Sequence, residues 1–147
     1  MISFKPIEKE DLPIVMDLMD AFYKIDNYGF DKATHSTLLL DFIAQTNLGT
    51  SWLLYYNLEE IGYIILTFVY SFEFKGKIAF LDELFIKESF RGKGFGSKSI
   101  QFIKEQAQLL NVKMLYLEVE EHNETALKLY LTNGFSKHHR KLMSIKI

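Results

Sequence analysis

Apolar residues recur at helical spacing in two stretches of the first third of the chain. In "EDLPIVMDLMDAFYKI" apolar residues recur every four positions in two neighbouring rows, the spacing of one helix face. The rows are Ile14, Leu18 and Phe22, with Val15, Met19 and Tyr23 beside them. Asp11, with Pro13 just inside it, is a plausible start for this helix. Thr34 can cap a second helix, "HSTLLLDFIAQT", which Gly49 closes. The pattern therefore predicts two consecutive helices.

Strand-like runs stand before and after these helices. "MISFKPI" reads as a short strand interrupted at Pro6. "SWLLYYN" and "EIGYIILTFVYSFEF" are joined by a tight turn at residues 57–59. The second run is apolar on both faces over residues 61–70, as expected of a strand in the centre of a sheet. "KGK" at 75–77 predicts another hairpin turn that leads into "IAFLDELFI".

The second half alternates helices and strands. A glycine-rich loop precedes a helix with Ile100, Ile103 and Ala107 on one face. "VKMLYLEV" predicts a strand, "NETALKLYLTN" a short helix ended by Gly134, and "KHHRKLMSIKI" a last strand. The predicted order is β-α-α-β-β-β-α-β-α-β. It describes an α/β fold with a mixed, largely antiparallel sheet flanked by helices and a strand–helix–strand crossover in the second half.

Composition and charge narrow the class of protein. The 147 residues suit a single domain, 1–147, with 48% hydrophobic and 24% charged residues. Lys plus Arg number 17 against 19 Asp plus Glu, which argues against a nucleic-acid binder. The sequence shows no secretory signal and no run of about 18 apolar residues. We therefore expect a soluble, cytoplasmic protein without a membrane span.

The residue types also limit the chemistry. With no cysteine, the chain has no disulfide, no thiolate nucleophile and no cysteine zinc site. The four histidines, His35, His122, His138 and His139, show no metal-ligand spacing. We interpret them as non-catalytic and expect no metal.

The segment "FRGKGFGSKSI", residues 90–100, combines three glycines with Arg91, Lys93 and Lys98. It follows a predicted strand and starts a predicted helix near Gly94. Free amides at a helix N-terminus, with the helix dipole behind them, favour an anion by roughly 0.3–1 kcal/mol. The segment therefore predicts a phosphate or pyrophosphate site, although a glycine-rich turn that only starts a helix is the alternative.

Three nucleotide-binding motifs can be compared with this loop. A P-loop requires Ser or Thr where Gly94 stands. The dinucleotide motif G-x-G-x-x-G has Ser97 at its third glycine, and it belongs at the first strand of a parallel sheet. The third motif, [RQ]-x-x-G-x-[GA], fits residues 91–96 at every fixed position.

The stretch "FLDELFIKESFRGKGFGSKSIQFI" followed by "LYLEVEEHNETALKLYLTNGF" resembles the GNAT superfamily of acyl-CoA-dependent N-acyltransferases. The resemblance covers residues 60–136, and the element order extends it over the chain. It implies acetyl-CoA as co-substrate, with its pyrophosphate on the amides of residues 92–97 and its pantetheine arm paired like an extra strand beside residues 84–86. The implied cofactor contacts are Leu84, Phe85, Ile86, Arg91, Gly92, Lys93, Gly94, Phe95, Gly96, Ser97 and Asn123.

Acetyl transfer to an amine requires a group that takes the ammonium proton. Asp82 and Glu83 are adjacent acids in an apolar strand, and neighbours in a strand point to opposite faces, so only one is expected in the cleft. In the related polyamine acetyltransferases the base stands nine positions before the motif, which here is Asp82. Glu83 stays open as the base, and either acid could instead lie at a solvated strand edge or pair with a cation. The oxyanion donor implied by the resemblance is a backbone N–H near Phe85.

Tyr130 is the candidate acid. The pattern N-x-x-A-x-x-L-Y-x-x-x-G-F matches from Asn123 to Phe135, and the resemblance implies that its tyrosine protonates the CoA thiolate. The alternative is a core aromatic at helical spacing. Asn123 is also suited to cap the helix that it precedes.

The acceptor is predicted only as a small-molecule or peptide amine. The resemblance places much of its pocket in residues 1–50, where no residue pattern identifies it. Acids at Glu73, Asp82, Glu83, Glu118 and Glu120 favour a cationic amine if they converge. Homodimers are common among such folds, but no residue here specifies an interface.

The sequence as a whole predicts an acetyl-CoA-dependent N-acetyltransferase that uses direct transfer. A non-catalytic acyl-CoA sensor of the same fold and a purely structural domain are the alternatives.

Overall fold

A computed structural model describes residues 1–147. The strands are β1 (Ile2–Pro6), β2 (Gly49–Tyr56), β3 (Glu59–Ser71), β4 (Gly76–Ile86) and β5 (Leu115–Tyr116). The helices are α1 (Leu12–Ile25), α2 (Lys32–Ala44), α3 (Phe95–Leu109) and α4 (Glu124–Thr132), with short 3₁₀ turns at Lys9–Asp11 and Glu88–Phe90. No helix is long and apolar enough to cross a bilayer.

The five strands form one sheet in chain order, β1-β2-β3-β4-β5. Hairpin connections make β2–β3 and β3–β4 antiparallel, and β1 also pairs antiparallel with β2. The α3 crossover makes β5 parallel to β4, because a helix between two strands returns the chain to the end of the sheet at which the first strand began. The predicted α/β class with a mixed, largely antiparallel sheet is confirmed.

Two hydrophobic cores cover the two faces of the sheet. On one face α1 and α2 pack with Val15 and Leu39 against Tyr63. On the other face α3 packs with Ile100 and Ile103. Strand β3 contributes to both faces, since Tyr63 and its neighbours Ile64 and Leu66 are fully buried. The prediction of a central strand is confirmed.

The ends of α2 differ from the prediction. Asp31, rather than Thr34, caps the helix: its carboxylate accepts a hydrogen bond from the Thr34 N–H at 2.8 Å. The carboxylate reaches the third residue of the helix, whose amide has no carbonyl partner at that position. Gly49 does not end the helix, which stops at Ala44; it is the first residue of β2.

Strand β4 contains one extra residue at Asp82. Ile65 of β3 pairs with Glu83, but the next residue, Leu66, pairs with Leu81. Asp82 therefore has no partner in the ladder, and it forms a β-bulge. As a result Leu81 and Leu84, three residues apart, pack in the same core on the α3 side, which strict alternation would not allow.

The last predicted strand is not formed. Residues 137–147 contain no strand, and β5 spans two residues of the predicted "VKMLYLEV". A strand exists only where a neighbour completes its hydrogen-bond ladder, and Leu142, Met143 and Ile145 are exposed instead. The segment is fixed near its start by Arg140, whose guanidinium donates two hydrogen bonds of 2.8 Å to the Glu73 carboxylate.

Candidate active site

Strands β4 and β5 separate after two residue pairs, Ala79 with Leu115 and Phe80 with Tyr116. Beyond them, residues 81–86 of β4 have β3 on one edge and no strand on the other. A cavity of about 500 Å³ lies at this opening. Its walls come from the end of α1, from β4, from the segment after β5 and from α4.

Both candidate bases line this cavity. Asp82 and Glu83 face the same space, so the expectation that only one of them enters the cleft was wrong. The bulge at Asp82 interrupts the alternation of the strand and allows both side chains to reach the cavity.

The two carboxyl groups have different surroundings. Glu83 is 7% exposed and accepts a hydrogen bond from the Tyr63 hydroxyl at 3.2 Å. Burial raises the pKa of Glu83, while the hydroxyls of Tyr23 and Tyr63 offset part of this effect. Asp82 is exposed towards the cavity and makes no hydrogen bond within the chain, and partial desolvation raises the pKa of its carboxyl as well.

Tyr130, on α4, lines the same cavity. Its ring packs edge-on against Phe135 at 5.7 Å between centroids and contacts the core on the α3 side. Its hydroxyl has no hydrogen-bond partner within the chain, and burial raises the pKa of the phenol. The side chain is thus both a core aromatic and a hydroxyl without a partner in the chain, in the cavity that Asp82 and Glu83 also line.

The glycine loop presents free amides at the start of α3, where Gly96 approaches Leu129 of α4. Gly92 and Gly94 adopt φ values of 71° and 81°, which a side chain disfavours. Helix α3 begins at Phe95 without a side-chain cap, and its first backbone bond runs from the Lys98 N–H to the Gly94 carbonyl at 3.2 Å. The amides before Lys98 are therefore available to an anion.

Gly96 has a different role. A Cβ on this residue would lie 2.9 Å from Cδ2 of Leu129, so a larger residue here would force Leu129 to shift where α3 and α4 approach each other. Asn133, at the end of α4, also joins the two helices by donating a hydrogen bond of 3.0 Å to the Ser97 hydroxyl. The start of α3 is held by α4.

The loop cations carry no acidic partner. Arg91 donates through Nε to the Ile86 carbonyl at 2.8 Å, and Lys93 donates to the Ser89 carbonyl at 2.9 Å. Lys98 lies 5.8 Å from the Phe95 ring centroid. Because these partners are neutral, the positive charge around the uncapped helix start is not compensated.

The remaining predicted contact residues divide into two sets. Phe85 and Phe95 are 4% and 6% exposed and pack in opposite cores, so only their backbone groups are available to a ligand. Leu84 and Ile86 are half-buried on the α3 side. Asn123 lines the cavity while its side chain accepts the Ala126 N–H at 3.1 Å, as predicted for a cap.

The acids expected to converge do so with one exception. Glu118 and Glu120 line the cavity with the two β4 carboxyl groups. Glu73 is elsewhere, paired with Arg140. The structure adds Asp26, at the end of α1, to the cavity wall. No group of three or more acids and histidines is arranged to hold a metal ion.

Sequence reasoning missed the wall from α1. Phe22 and Tyr23 line the cavity, followed by Asp26 and Tyr28. The signal was present as "DNYG" after an amphipathic helix, since Asn and Gly after such a helix mark its end. Only the folded structure shows that this helix end faces β4.

The sequence model of the Acetyltransferase (GNAT) family matches residues 14–135. Among curated proteins, the chain is 34% identical over 85 residues to a spermine/spermidine N(1)-acetyltransferase of Bacillus subtilis, covering 56% of each chain. It is 35% identical over 74 residues to a thialysine N-epsilon-acetyltransferase of Bos taurus, covering 50% of this chain and 43% of the relative. The chain thus spans about half the length of the curated relatives it matches.

Among solved structures, an integron cassette protein, HFX_CASS3, from the mobile metagenome of Cole Harbour Salt Marsh superposes with a TM-score of 0.88 at 26% identity. The superposition covers 98% of this chain and 90% of that protein. The family match spans most of the sequence and contains the glycine loop, the bulged strand β4 and α4. The chain belongs to the Acetyltransferase (GNAT) family.

Proposed function

We propose that this protein is an N-acetyltransferase that transfers the acetyl group of acetyl-CoA directly to an amine. The observation that carries the proposal is the combination of an uncapped α3 N-terminus with a neighbouring cavity that holds Asp82, Glu83 and Tyr130. The first feature suits a pyrophosphate, and the second supplies a base and an acid.

The chain offers donors for both parts of acetyl-CoA. The amides of residues 92–97 and the uncompensated charges of Arg91 and Lys93 would hold the pyrophosphate. The open edge of β4 over residues 81–86 would pair with the amide groups of the pantetheine arm. This edge leads directly to the cavity, so a thioester at the end of the arm would lie beside the carboxyl groups.

We assign the base to Asp82. Its carboxylate is open to the cavity and makes no hydrogen bond within the chain, whereas Glu83 is buried and bonded to Tyr63. Asp82 would take the proton of the acceptor ammonium, and the free amine would then attack the thioester carbonyl. The new N–C bond replaces the C–S bond, and no covalent enzyme intermediate is required.

Tyr130 would donate its proton to the departing thiolate, and the second proton, which the attacking nitrogen loses as it becomes an amide, would restore the phenol through solvent. Its phenol is protonated at neutral pH, as an ordinary tyrosine is, and burial moves its pKa further upward. Its hydroxyl has no competing partner in the chain. The oxyanion that forms on the carbonyl would be stabilised by a backbone N–H of β4 near Phe85.

We also propose a cationic acceptor. Asp26, Glu118 and Glu120 add negative charge to the outer part of the cavity, and a cavity of one sign attracts the opposite charge. The names of two relatives specify spermine/spermidine and thialysine as substrates, which are cationic amines. This agreement supports a positively charged acceptor.

The experiment is an acceptor screen with the purified protein and acetyl-CoA. Polyamines, diamines, lysine analogues and neutral aromatic amines are compared by free-thiol release, and the products are identified by mass spectrometry. We expect acetylation of the cationic amines. Binding of CoA without acetylation of any amine would contradict the proposal and identify the protein as an acyl-CoA-binding module.

A further inference from the structure

Two segments face each other across the outer part of the cavity. One follows α1 and contains Asp26 and Tyr28; the other follows β5 and contains Glu120 and His122. The Tyr28 hydroxyl donates a hydrogen bond to the Glu120 carboxylate. The His122 Nε2 lies 2.9 Å from Oδ1 of Asp26. These contacts join residues more than 90 positions apart in the chain.

The backbone fixes where Asp26 and Tyr28 stand. Asn27 adopts a left-handed φ of 56°, and the Tyr28 N–H donates to the Tyr23 carbonyl at 2.9 Å. This is the bond that closes a Schellman motif at a helix C-terminus. It places Asp26 directly after the last residue of α1, at the negative end of the helix dipole. A positively charged partner is favourable there.

His122 is the present partner, but it is weakly held. Its side chain is 68% exposed, whereas that of Asp26 is 23% exposed. An exposed pair of this kind contributes little and exchanges readily. Glu118 and Glu120 act on the neighbouring Tyr28 together with Asp26. Lys24, two residues before Asp26 in the chain, pairs with Asp20 instead.

We propose that Asp26 is a specificity-determining residue for the acceptor and that His122 is a built-in competitor for its carboxylate. An acceptor with a second ammonium group would displace His122 and pair with Asp26, while its first amine reaches Asp82. A monoamine has no group for this exchange. The proposal rests on the proposed function, because it concerns the acceptor of that reaction.

The test uses two acceptors that differ by one ammonium group, 1,4-diaminobutane and butylamine. KM for each is measured at saturating acetyl-CoA in wild type, His122→Asn, His122→Arg and Asp26→Asn. Loss of the competitor in His122→Asn lowers KM for the diamine about two- to fivefold, and the permanent cation in His122→Arg raises it by a similar factor. In the two His122 variants, KM for butylamine, KM for acetyl-CoA and kcat stay within about twofold.

Asp26→Asn provides the second arm of the test. It raises KM for the diamine. When it is combined with either His122 substitution, KM for the diamine stays equal to that of Asp26→Asn alone. His139→Asn and His139→Arg, which change a histidine that stacks on His138 and has no contact with Asp26, are the matched controls and leave KM for both acceptors unchanged. Equal changes for diamine and monoamine, or a His122 effect that persists without Asp26, would overturn the proposal.

A binding measurement separates this proposal from the proposed function. Calorimetric titration of the two amines into the CoA complex measures their Kd values in each variant without any turnover. We expect the ratio of the diamine Kd to the monoamine Kd to follow the ratio of the KM values, variant by variant. Absence of acetylation with the expected binding ratios refutes the transferase activity alone. Normal acetylation, with a ratio of diamine to monoamine Kd that does not change when Asp26 or His122 is replaced, refutes only the competition between His122 and the acceptor.

Discussion

Adjacent carboxyl groups at Asp82 and Glu83 share one cavity but have different surroundings. Glu83 is buried and accepts a hydrogen bond from Tyr63, so it shapes the cavity floor and its electrostatics. Asp82 is open to the cavity, and its raised pKa makes it a stronger proton acceptor than an ordinary aspartate. The structure therefore separates two residues that their positions in the sequence make equivalent.

Asp82→Asn removes the proposed base without changing its shape. We expect kcat to fall by about 10²–10⁴-fold, the usual contribution of a general base, while the Kd of CoA changes little. Glu83→Gln is the matched comparison and lowers kcat less. Steady-state kinetics with CoA titrations measure both, and a larger loss in Glu83→Gln than in Asp82→Asn would transfer the role of base to Glu83.

The pH dependence follows from the same carboxyl group. Asp82 must be ionised to accept a proton, so kcat/KM falls as pH decreases through its pKa. Since desolvation raises that pKa, the acidic limb of the profile lies above the range of an ordinary aspartate, near 3.9. The limb is absent from the residual activity of Asp82→Asn. A wild-type profile that stays flat down to pH 4 would contradict the assignment.

Tyr130→Phe removes one hydroxyl that has no partner in the chain. The stability of the fold is therefore expected to change by less than about 1 kcal/mol. Loss of the proton donor lowers kcat by about 10²–10⁴-fold. Thermal unfolding and steady-state rates together test this, and an unchanged rate would leave Tyr130 with its packing role only.

At the scale of elements, the start of α3 combines two structural requirements, a left-handed backbone in the glycine loop and close packing against α4. Gly92 and Gly94 give the loop its left-handed backbone, and Gly96 allows Leu129 of α4 to pack closely. Movement of α4 relative to α3 would also move Tyr130. The anion site and the proposed acid are therefore mechanically connected.

Gly96→Ala tests this connection. The added Cβ lies 2.9 Å from Leu129, so we expect a destabilisation of about 1–3 kcal/mol from overpacking and a weaker affinity for CoA. Gly29→Ala is the control, because a Cβ there meets nothing within 4 Å. Urea unfolding and CoA titration compare the two, and equal stabilities would show that α3 and α4 separate without cost.

At the scale of the whole molecule, the cavity lies where elements from both halves of the chain meet. Helix α1 supplies one wall, β4 supplies the floor, and α4 with the segment after β5 supplies the other wall. A ligand that binds there bridges the two cores of the sheet. The single domain, the homodimer and the cytoplasmic location expected from the sequence stay predictions.

Binding of CoA is therefore expected to stabilise the entire fold. At 100 times its Kd, CoA adds about 2.7 kcal/mol to the free energy of unfolding, which corresponds to an increase in Tm of about 5–10 °C for a chain of this size. Adenosine, which lacks the pyrophosphate, is the control and gives a much smaller shift. No shift with CoA would remove the anion site from the proposed function.

Much of the fold was readable from the sequence because it depends on local chemistry. The two-faced apolar run of β3 and the position of the glycine loop before α3 follow from spacing and composition alone. The match around Tyr130 and Asn123 also requires only a pattern. These features are set by residues that are close together in the chain.

The tertiary structure decided what depends on distant partners. The register of β3 against β4 creates the bulge that brings Asp82 and Glu83 to one cavity, and no local pattern in β4 specifies that register. The contacts of Tyr28 and Asp26 join segments more than 90 residues apart. Residues 137–147 have the alternation of a strand without a neighbour to pair with. The periodicity of a segment indicates which secondary structure it can form. Whether that structure forms depends on the strands, helices and side chains that contact the segment in the folded protein.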